Sequence, residues 1–390
     1  MSGVHDYDVI VVGVGSMGSA AVHTLAARGL SVLGLERYGP AHDQGSAHGG
    51  SRIIRQSYFE GPAYVPLLQQ AFEGWRELQE QSGRDLLRLS GGIYIGDPDN
   101  PVVTGSRAAA LIHGLPHEVL DAAEITSRFP TMRPQDHAVG VYEPNAGYVR
   151  PEETVLAGVD LARRHGAVLR FDEPVTGWRA TPGGGVEVIT ATGRYGADRL
   201  VLTPGAWAPE LLPGVTPILV ERQVFYWFEP DFTTGVPYET YADGHPVYIE
   251  ETDGNGLLYG FPMIDGPDGG LKLAFYRQNV GFTTPETIDR TVHADEVDAM
   301  RRRAVKLFPH LTGPLVKAAT CMYASAPDDH FVIGLLGGMP QVVVACGFSG
   351  HGFKFVPVVG EIVADLVQTG TTAHDIDLFD IGRPAFRGAS

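Results

Sequence analysis

Asp8–Ala21 reads DVIVVGVGSMGSAA. The first five residues, four of them β-branched, have the composition of a buried parallel strand. They run into Gly13-Val14-Gly15-Ser16-Met17-Gly18, a match to G-x-G-x-x-G, and then into SAAVHTLAARG. That last stretch has helical composition, with Gly29 placed as a left-handed cap after Arg28. A second apolar run, LSVLGL, ends on Glu36, 18 residues past Gly18. Glycines at these positions let the backbone approach a pyrophosphate at a helix N-terminus, and the acid can accept from a ribose hydroxyl. The order strand, turn, helix, strand, acid predicts a dinucleotide site. It does not separate a flavin from a nicotinamide dinucleotide, and a glycine-rich turn beside a solvated Glu36 is the bland alternative.

The rest of the composition narrows the classes. With 390 residues and 44% hydrophobic content the chain can bury one large core or two moderate ones. A formal charge of −17 argues against nucleic acid or an anionic membrane as partner, because both need clustered Lys and Arg. Cys321 and Cys346 make neither a disulfide framework nor a zinc site, and suit a reducing compartment. The start, MSGVHDYDVIVVGVG, lacks a basic n-region, no 18-residue apolar run appears, and AFRGAS ends in no sorting tripeptide. A cytoplasmic protein is expected.

Further along, residues 62–82 carry apolar positions at helical spacing, and Glu152–His165 reads as a helix capped by Gly166. TGWRA and VEVIT, separated by PGGG, predict a hairpin, and LVLTPG a buried strand. From Leu219 to Arg277 the texture changes to short aromatic runs, VERQVFYWFEP, HPVYIEE, GLLYGF and LKLAFYR, which predict an antiparallel sheet in a second domain. FVIG, QVVVAC and VVGEIVADLVQTG then return to α/β texture. The expected architecture is α/β (α+β overall), with a discontinuous Rossmann-like domain (1–85, 148–216 and 322–390) and a second domain from 86–147 and 217–321.

Three stretches concentrate reactive side chains. HGGSRIIR, His48–Arg55, holds two arginines three apart around two isoleucines, which can anchor a segment in the interior with cations nearby; surface arginines on a helix are the alternative. GFSGHGFKF, Gly347–Phe355, follows a buried-looking strand, where ligands enter open α/β sheets, and its glycines allow close approach to a flat ring. His351 and Lys354 there supply donors, unless this is a glycine-rich loop with a satisfied histidine. CMYASAPDDHF, Cys321–Phe331, sets a rare thiol two residues from Tyr323, as core filler or as reactive group. No G-x-S-x-G or H-E-x-x-H motif occurs, and Asp328-Asp329-His330 and Asp136-His137 lack metal-ligand spacing.

VIVVGVGSMGSAA, HGGSRIIRQSYFEGPAYVPL, TPGAW, YGFP, GLKL, CMYASAPDDHFVIG and GFSGHGFKF, in this order, together resemble the monomeric sarcosine oxidase and N-methyltryptophan oxidase family of FAD-dependent amine oxidases. The resemblance spans essentially the whole chain. It implies an FAD domain of glutathione-reductase type and a substrate domain whose sheet covers the flavin. It implies oxidation of a secondary amino acid to an imine, which hydrolyses, with the electrons passing to O2 to give hydrogen peroxide. It also implies FAD held through an 8α-thioether to Cys321, no metal, and a monomer whose partners are the small amine and O2. Cys346, with no matching role, reads as a small core residue.

Carried residue by residue, the resemblance places FAD against Gly13, Gly15, Ser16, Met17, Gly18, Glu36 and Arg37. It adds Ser46, just ahead of the second motif, and His48, Gly49, Ser51, Arg52 and Ile53 within it, then Val175, Gly205 and Trp207. Cys321, Met322, Phe348, Gly350, Gly352 and Lys354 complete the cofactor set. Arg52 and His48 could supply the positive charge that favours a thiolate at Cys321. Arg55 and Lys354 match residues that bind the substrate carboxylate through charge-assisted bonds. Tyr323 and His351 match residues that position the amine. Lys272, in GLKL, matches the lysine proposed to activate oxygen, where a fixed cation would stabilise superoxide. No strong base appears in this set, which suits hydride transfer from a neutral amine or an amine–flavin adduct.

One departure touches specificity. Where the family usually has a histidine four residues beyond that lysine, this chain has Tyr276, bulkier, neutral and able to donate. With Tyr248 it points toward a larger N-methyl or a cyclic secondary amino acid. The competing readings are an imino-acid dehydrogenase with another electron acceptor, a flavin-binding subunit of a larger complex, and, weakest, a nicotinamide-dependent dehydrogenase.

Overall fold

The computed structural model describes residues 6–213, 217–252, 254, 256–277 and 281–386. The first five residues of the expected leaderless start and the last four of AFRGAS lie outside this set. Two large sheets and a small one organise the chain.

The first large sheet grows from strand Tyr7–Val12. It pairs in parallel with Val32–Leu35 on one side and with Arg194–Leu202 on the other. Val168–Arg170 and Met339–Cys346 extend the parallel run outward. The predicted hairpin forms from Val175–Ala180 and Val186–Thr190, and pairs with the first half of Arg194–Leu202. Alternation along the strand divides the core. Val9 and Val11 pack with helices Ser16–Ala27, Val65–Ser82, Pro151–Arg164 and Val356–Thr369. Ile10 and Val12 face the opposite layer, with Val186, Val188, Leu202 and Cys346. Helix ends follow the punctuation in the sequence: Gly29, Gly83, Gly166 and Gly370 all take positive φ just past a helix.

The second large sheet has nine strands and includes Leu219–Phe228, Val247–Glu251, Leu258–Gly260 and Leu271–Phe275. Its longest pairing joins Leu219–Phe228 to Leu315–Ser325, the strand that carries Cys321. The aromatic runs pair antiparallel as expected, with one correction. Val247–Glu251 lies parallel to Gly92–Gly96, because that neighbour comes from a distant segment rather than from a hairpin.

Arg52–Ile54 forms a strand of the three-stranded sheet, not a helix. On an extended chain residues three apart face opposite ways. Arg52 therefore turns to Phe225 and Cys321, whereas Arg55 turns to Tyr58, Phe59 and Glu60.

Candidate active site

An open cleft of about 1250 Å³ begins at the Gly13–Met17 turn. Its lining includes Glu36, Arg37, Ser46, Arg52, Val175, Gly205, Trp207, Met322, Phe348, Gly350 and Gly352, all among the residues expected against a dinucleotide. Gly13 has φ of 87°, and a Cβ there would lie 2.5 Å from the Thr203 carbonyl oxygen. Among the described residues nothing fills the space beside Gly15, and no side chain caps the helix it begins. Unsatisfied N–H groups at an open helix end suit an anionic group. Gly18 does not line the cleft. A Cβ there would meet the Gly13 carbonyl oxygen at 1.8 Å, so this glycine brings the helix against the turn. Glu36 is buried and accepts from Val14 N at 2.7 Å and Tyr38 N at 3.1 Å, which fixes the acid at the cleft wall. Arg37 pairs with Glu210 and Glu286 and lies over the Trp207 ring.

A second pocket of about 560 Å³ shares Arg52, Tyr323, Gly350 and Phe353 with the cleft. Ile53, Arg55, Tyr276, His351 and Lys354 meet there, from three separate stretches of sequence. Arg55 is 2% exposed. It stacks over Tyr58 and Phe59 and pairs with both oxygens of Glu60 at 2.6 Å. Burial would raise the Glu60 carboxyl, but Arg55, His351 and Lys354 outweigh it and hold its pKa below the usual range. Lys354 donates to the His351 carbonyl at 2.6 Å, and burial, with Arg55 nearby, pulls its pKa down to about 7. His351 is held at both ring nitrogens, by Tyr58 Oη at 2.5 Å and the Asp329 carbonyl at 2.9 Å. Burial lowers its pKa to about 4, which makes it neutral at pH 7. The Tyr323 and Tyr259 hydroxyls lie 3.1 Å apart, and Tyr276 donates to the Ser349 carbonyl at 3.1 Å.

His48, Gly49, Ser51, Lys272 and Cys321 line neither cavity but cluster around Arg52, which lines both. Lys272 Nζ donates to Gly49 O, Ser51 O and Ser51 Oγ at 2.6, 2.9 and 3.1 Å. It also lies over Phe225, Phe261 and Trp227. Cys321 Sγ is buried, 3.9 Å from Arg52 Nη2. The expected thiolate is corrected here: burial raises the Cys321 pKa by more than Arg52 and Lys272 lower it. Among the described residues His48 Nε2 is buried without a partner, and burial beside Arg52 lowers the pKa of the ring to about 4.

Tyr248 is a further correction. It is fully buried against His245 and Phe308 in the core of the second sheet, away from both cavities. Its strand neighbour Ile249 faces the pocket instead, paired with Tyr259. The sequence reading chose the right strand and the wrong face. It also passed over Phe59, Glu60, Leu257 and Tyr259. Glu60 and Tyr259 lie inside the quoted motifs YFEGP and YGFP, but no spacing rule ties a loop acid to an arginine five residues earlier. Among the described residues no group of three or more His, Cys, Asp or Glu could hold a metal ion.

A dinucleotide-binding sheet whose cleft opens onto a small cationic pocket defines a flavin-type oxidoreductase. The open turn at Gly15 and the fixed acid at Glu36, which both line the cleft, fit a bound dinucleotide. Residues 8–366 match the family described as FAD dependent oxidoreductase, and the chain belongs to that family, with FAD as its cofactor. It is 56% identical to a monomeric sarcosine oxidase of Streptomyces avermitilis over 381 residues, 97% of this chain and 98% of that protein. An N-methyl-L-tryptophan oxidase of Citrobacter koseri is 34% identical over 383 residues, covering 97% and 99%. A solved structure of NikD, described as an unusual amino acid oxidase essential for nikkomycin biosynthesis, superposes with a TM-score of 0.83 at 26% identity. That match covers 96% of this chain and 97% of NikD.

Proposed function

We propose that this chain is an FAD-dependent oxidase of N-methyl or cyclic secondary amino acids, with O2 as electron acceptor. The observation that carries the reading is a buried cation pair, Arg55 and Lys354, in a pocket that shares four residues with the cofactor cleft. A carboxylate entering there would gain charge-assisted bonds from both. Its amine would then lie toward Tyr323 and the shared wall. FAD, when bound, supplies the hydride acceptor and the route of the electrons to O2.

The chain's own residues would divide the remaining work. The Gly13–Met17 turn and Glu36 would hold the adenosine diphosphate end, and Arg52 the charge near the isoalloxazine; His48, expected to share that role, is neutral because burial beside Arg52 lowers its pKa to about 4. His351, neutral and held at both nitrogens, would orient the amine without competing for its proton. Arg52 and Lys354 would favour the neutral amine in a bound zwitterion. Lys272 would be the cation that meets oxygen. Tyr276, with Ile249, Leu257, Phe59 and Tyr259, gives the pocket an apolar and aromatic wall that favours substrates larger than sarcosine. In its bound pair with Arg55, Glu60 holds the place a substrate carboxylate needs, so entry requires it to yield or to share.

The cofactor domain is proposed to comprise 1–85, 148–216 and 322–390, and the substrate domain 86–147 and 217–321. The strand Leu315–Ser325 runs through the last boundary, which places Cys321 and Tyr323 on one element shared by both. Cys321 is the proposed covalent anchor of FAD, deprotonated on attachment with Arg52 beside it. The protein is read as a cytoplasmic monomer; among the described residues no helix is long and apolar enough to cross a membrane.

Peroxide release on a panel of sarcosine, larger N-methyl amino acids, proline and pipecolate tests the activity. Flavin reduction without peroxide release would favour a dehydrogenase instead. For the linkage, acid precipitation should leave the yellow colour in the pellet. Cys321→Ala should release it to the supernatant, and Cys346→Ala, in the packed core beside Val12 and Leu202, should leave it in place.

A further inference from the structure

Lys272 is held by a loop, and that loop is held in turn by an acid far away in sequence. Glu152 stands in the first turn of helix Pro151–Arg164. An acid there is ordinarily explained by the helix dipole. Its carboxylate, however, accepts from Gly49 N at 2.6 Å and from Gly50 N at 3.1 Å to each oxygen, across more than a hundred residues of chain. Gly49 and Gly50 both have positive φ, 93° and 79°, a turn other residues adopt only with strain. A Cβ on Gly49 would also lie 2.9 Å from the Phe225 ring.

The peptide unit between Gly49 and Gly50 joins the two charges. Its N–H donates to Glu152, and its carbonyl accepts from Lys272 Nζ at 2.6 Å. Polarisation along such a chain strengthens both bonds in a poorly solvated site. Lys272 needs the help. Burial and Arg52 pull its pKa well below that of an ordinary lysine, while Glu152, Cys321 and Asp265 pull the other way. His48, which also faces it, is neutral at pH 7, and Asp265 is paired with Lys317.

We infer that Glu152 is a positioning residue for Lys272: by holding both amides of the Gly49–Gly50 turn it aims the Gly49 carbonyl at the ammonium and balances Arg52. The inference rests on the proposed oxygen-side role of Lys272. Losing Glu152 therefore affects the step with oxygen and leaves the step with amine alone.

The chain has four lysines, Lys272, Lys306, Lys317 and Lys354, so lysine labelled with ¹³C at Cε gives a readable titration of each. In Glu152→Gln the Lys272 midpoint should fall by about one pH unit, with Lys354 unmoved. Above that midpoint, reoxidation of the reduced enzyme by O2 should slow about tenfold, while anaerobic reduction by an N-methyl amino acid stays within about twofold. Glu152→Asp, which keeps the charge, should recover part of both effects, and stands in should the Gln variant not fold. An unmoved Lys272 resonance with normal reoxidation, or equal losses in both half-reactions, would overturn the inference. Lys272→Met separates the layers. If it reoxidises like the parent, the oxygen role of Lys272 fails. If it is slow while Glu152→Gln is normal, the role of Glu152 alone fails.

Discussion

The cofactor cleft and the substrate pocket touch, yet they are built from different materials. The cleft is made by the main chain: a positive-φ glycine, an open helix end, and an acid fixed by backbone amides. The pocket is made by charged side chains: buried Arg55 paired with half-buried Glu60, and buried Lys354 near them, held on the His351 carbonyl. A site of backbone tolerates no added bulk and responds little to pH. One of buried charges tolerates small changes of shape but depends steeply on protonation and pairing.

The largest expected effect lies in the cleft. Gly13→Val combines a β-branched residue at positive φ with a clash on the Thr203 carbonyl, and neither can relax without moving a central strand. The protein should be isolated without flavin, as its absorption spectrum would show; a fully yellow variant would break the contrast. Next comes Arg55→Ala, which removes one partner of a desolvated carboxylate contact. A loss in kcat/KM of roughly 10²–10³-fold is expected, with flavin content unchanged. Steady-state kinetics beside a flavin-to-protein ratio would check both halves.

The pH response is smaller and sharper. Lys354 must be protonated to hold a carboxylate, and its lowered pKa of about 7 means the free enzyme loses that proton as pH rises through neutrality. Affinity for a simple carboxylate such as acetate, followed by the flavin absorption change, should be flat below pH 6. It should then fall by up to about tenfold per unit above 7. Lys354→Met should flatten the profile. The smallest effect is expected from Glu60→Gln, which releases Arg55 from its internal partner. Acetate should bind several-fold tighter at pH 6, by about 1 kcal/mol. Weaker binding would mean that Glu60 orients Arg55 rather than competing for it.

The same difference in materials explains what the sequence revealed. The cleft's first strand, turn, helix and acid are contiguous, so spacing alone exposed them. Gly18, expected on the cofactor, instead serves packing, since the motif records where glycine is needed but not why. The pocket could not be assembled from spacing, because its walls come from the loops after Ile54 and Phe348 and from strands of the second sheet. Resemblance supplied Arg55, His351, Lys354 and Tyr323. It could not assign the face of Val247–Glu251, where a one-residue slip separates Tyr248 in the core from Ile249 in the pocket. The parallel neighbour of that strand and the Glu152–Gly49 bond are tertiary events with no local signature. Burial likewise decided the protonation of Cys321, against the cations that sequence had set beside it.

Anaerobic mixing with an N-methyl amino acid, followed by admission of oxygen, tests the whole account most directly. The flavin absorption should bleach to the reduced form with one equivalent of substrate. It should return on exposure to O2 with one equivalent of peroxide. An enzyme whose flavin stays oxidised with every secondary amino acid of the panel would contradict it.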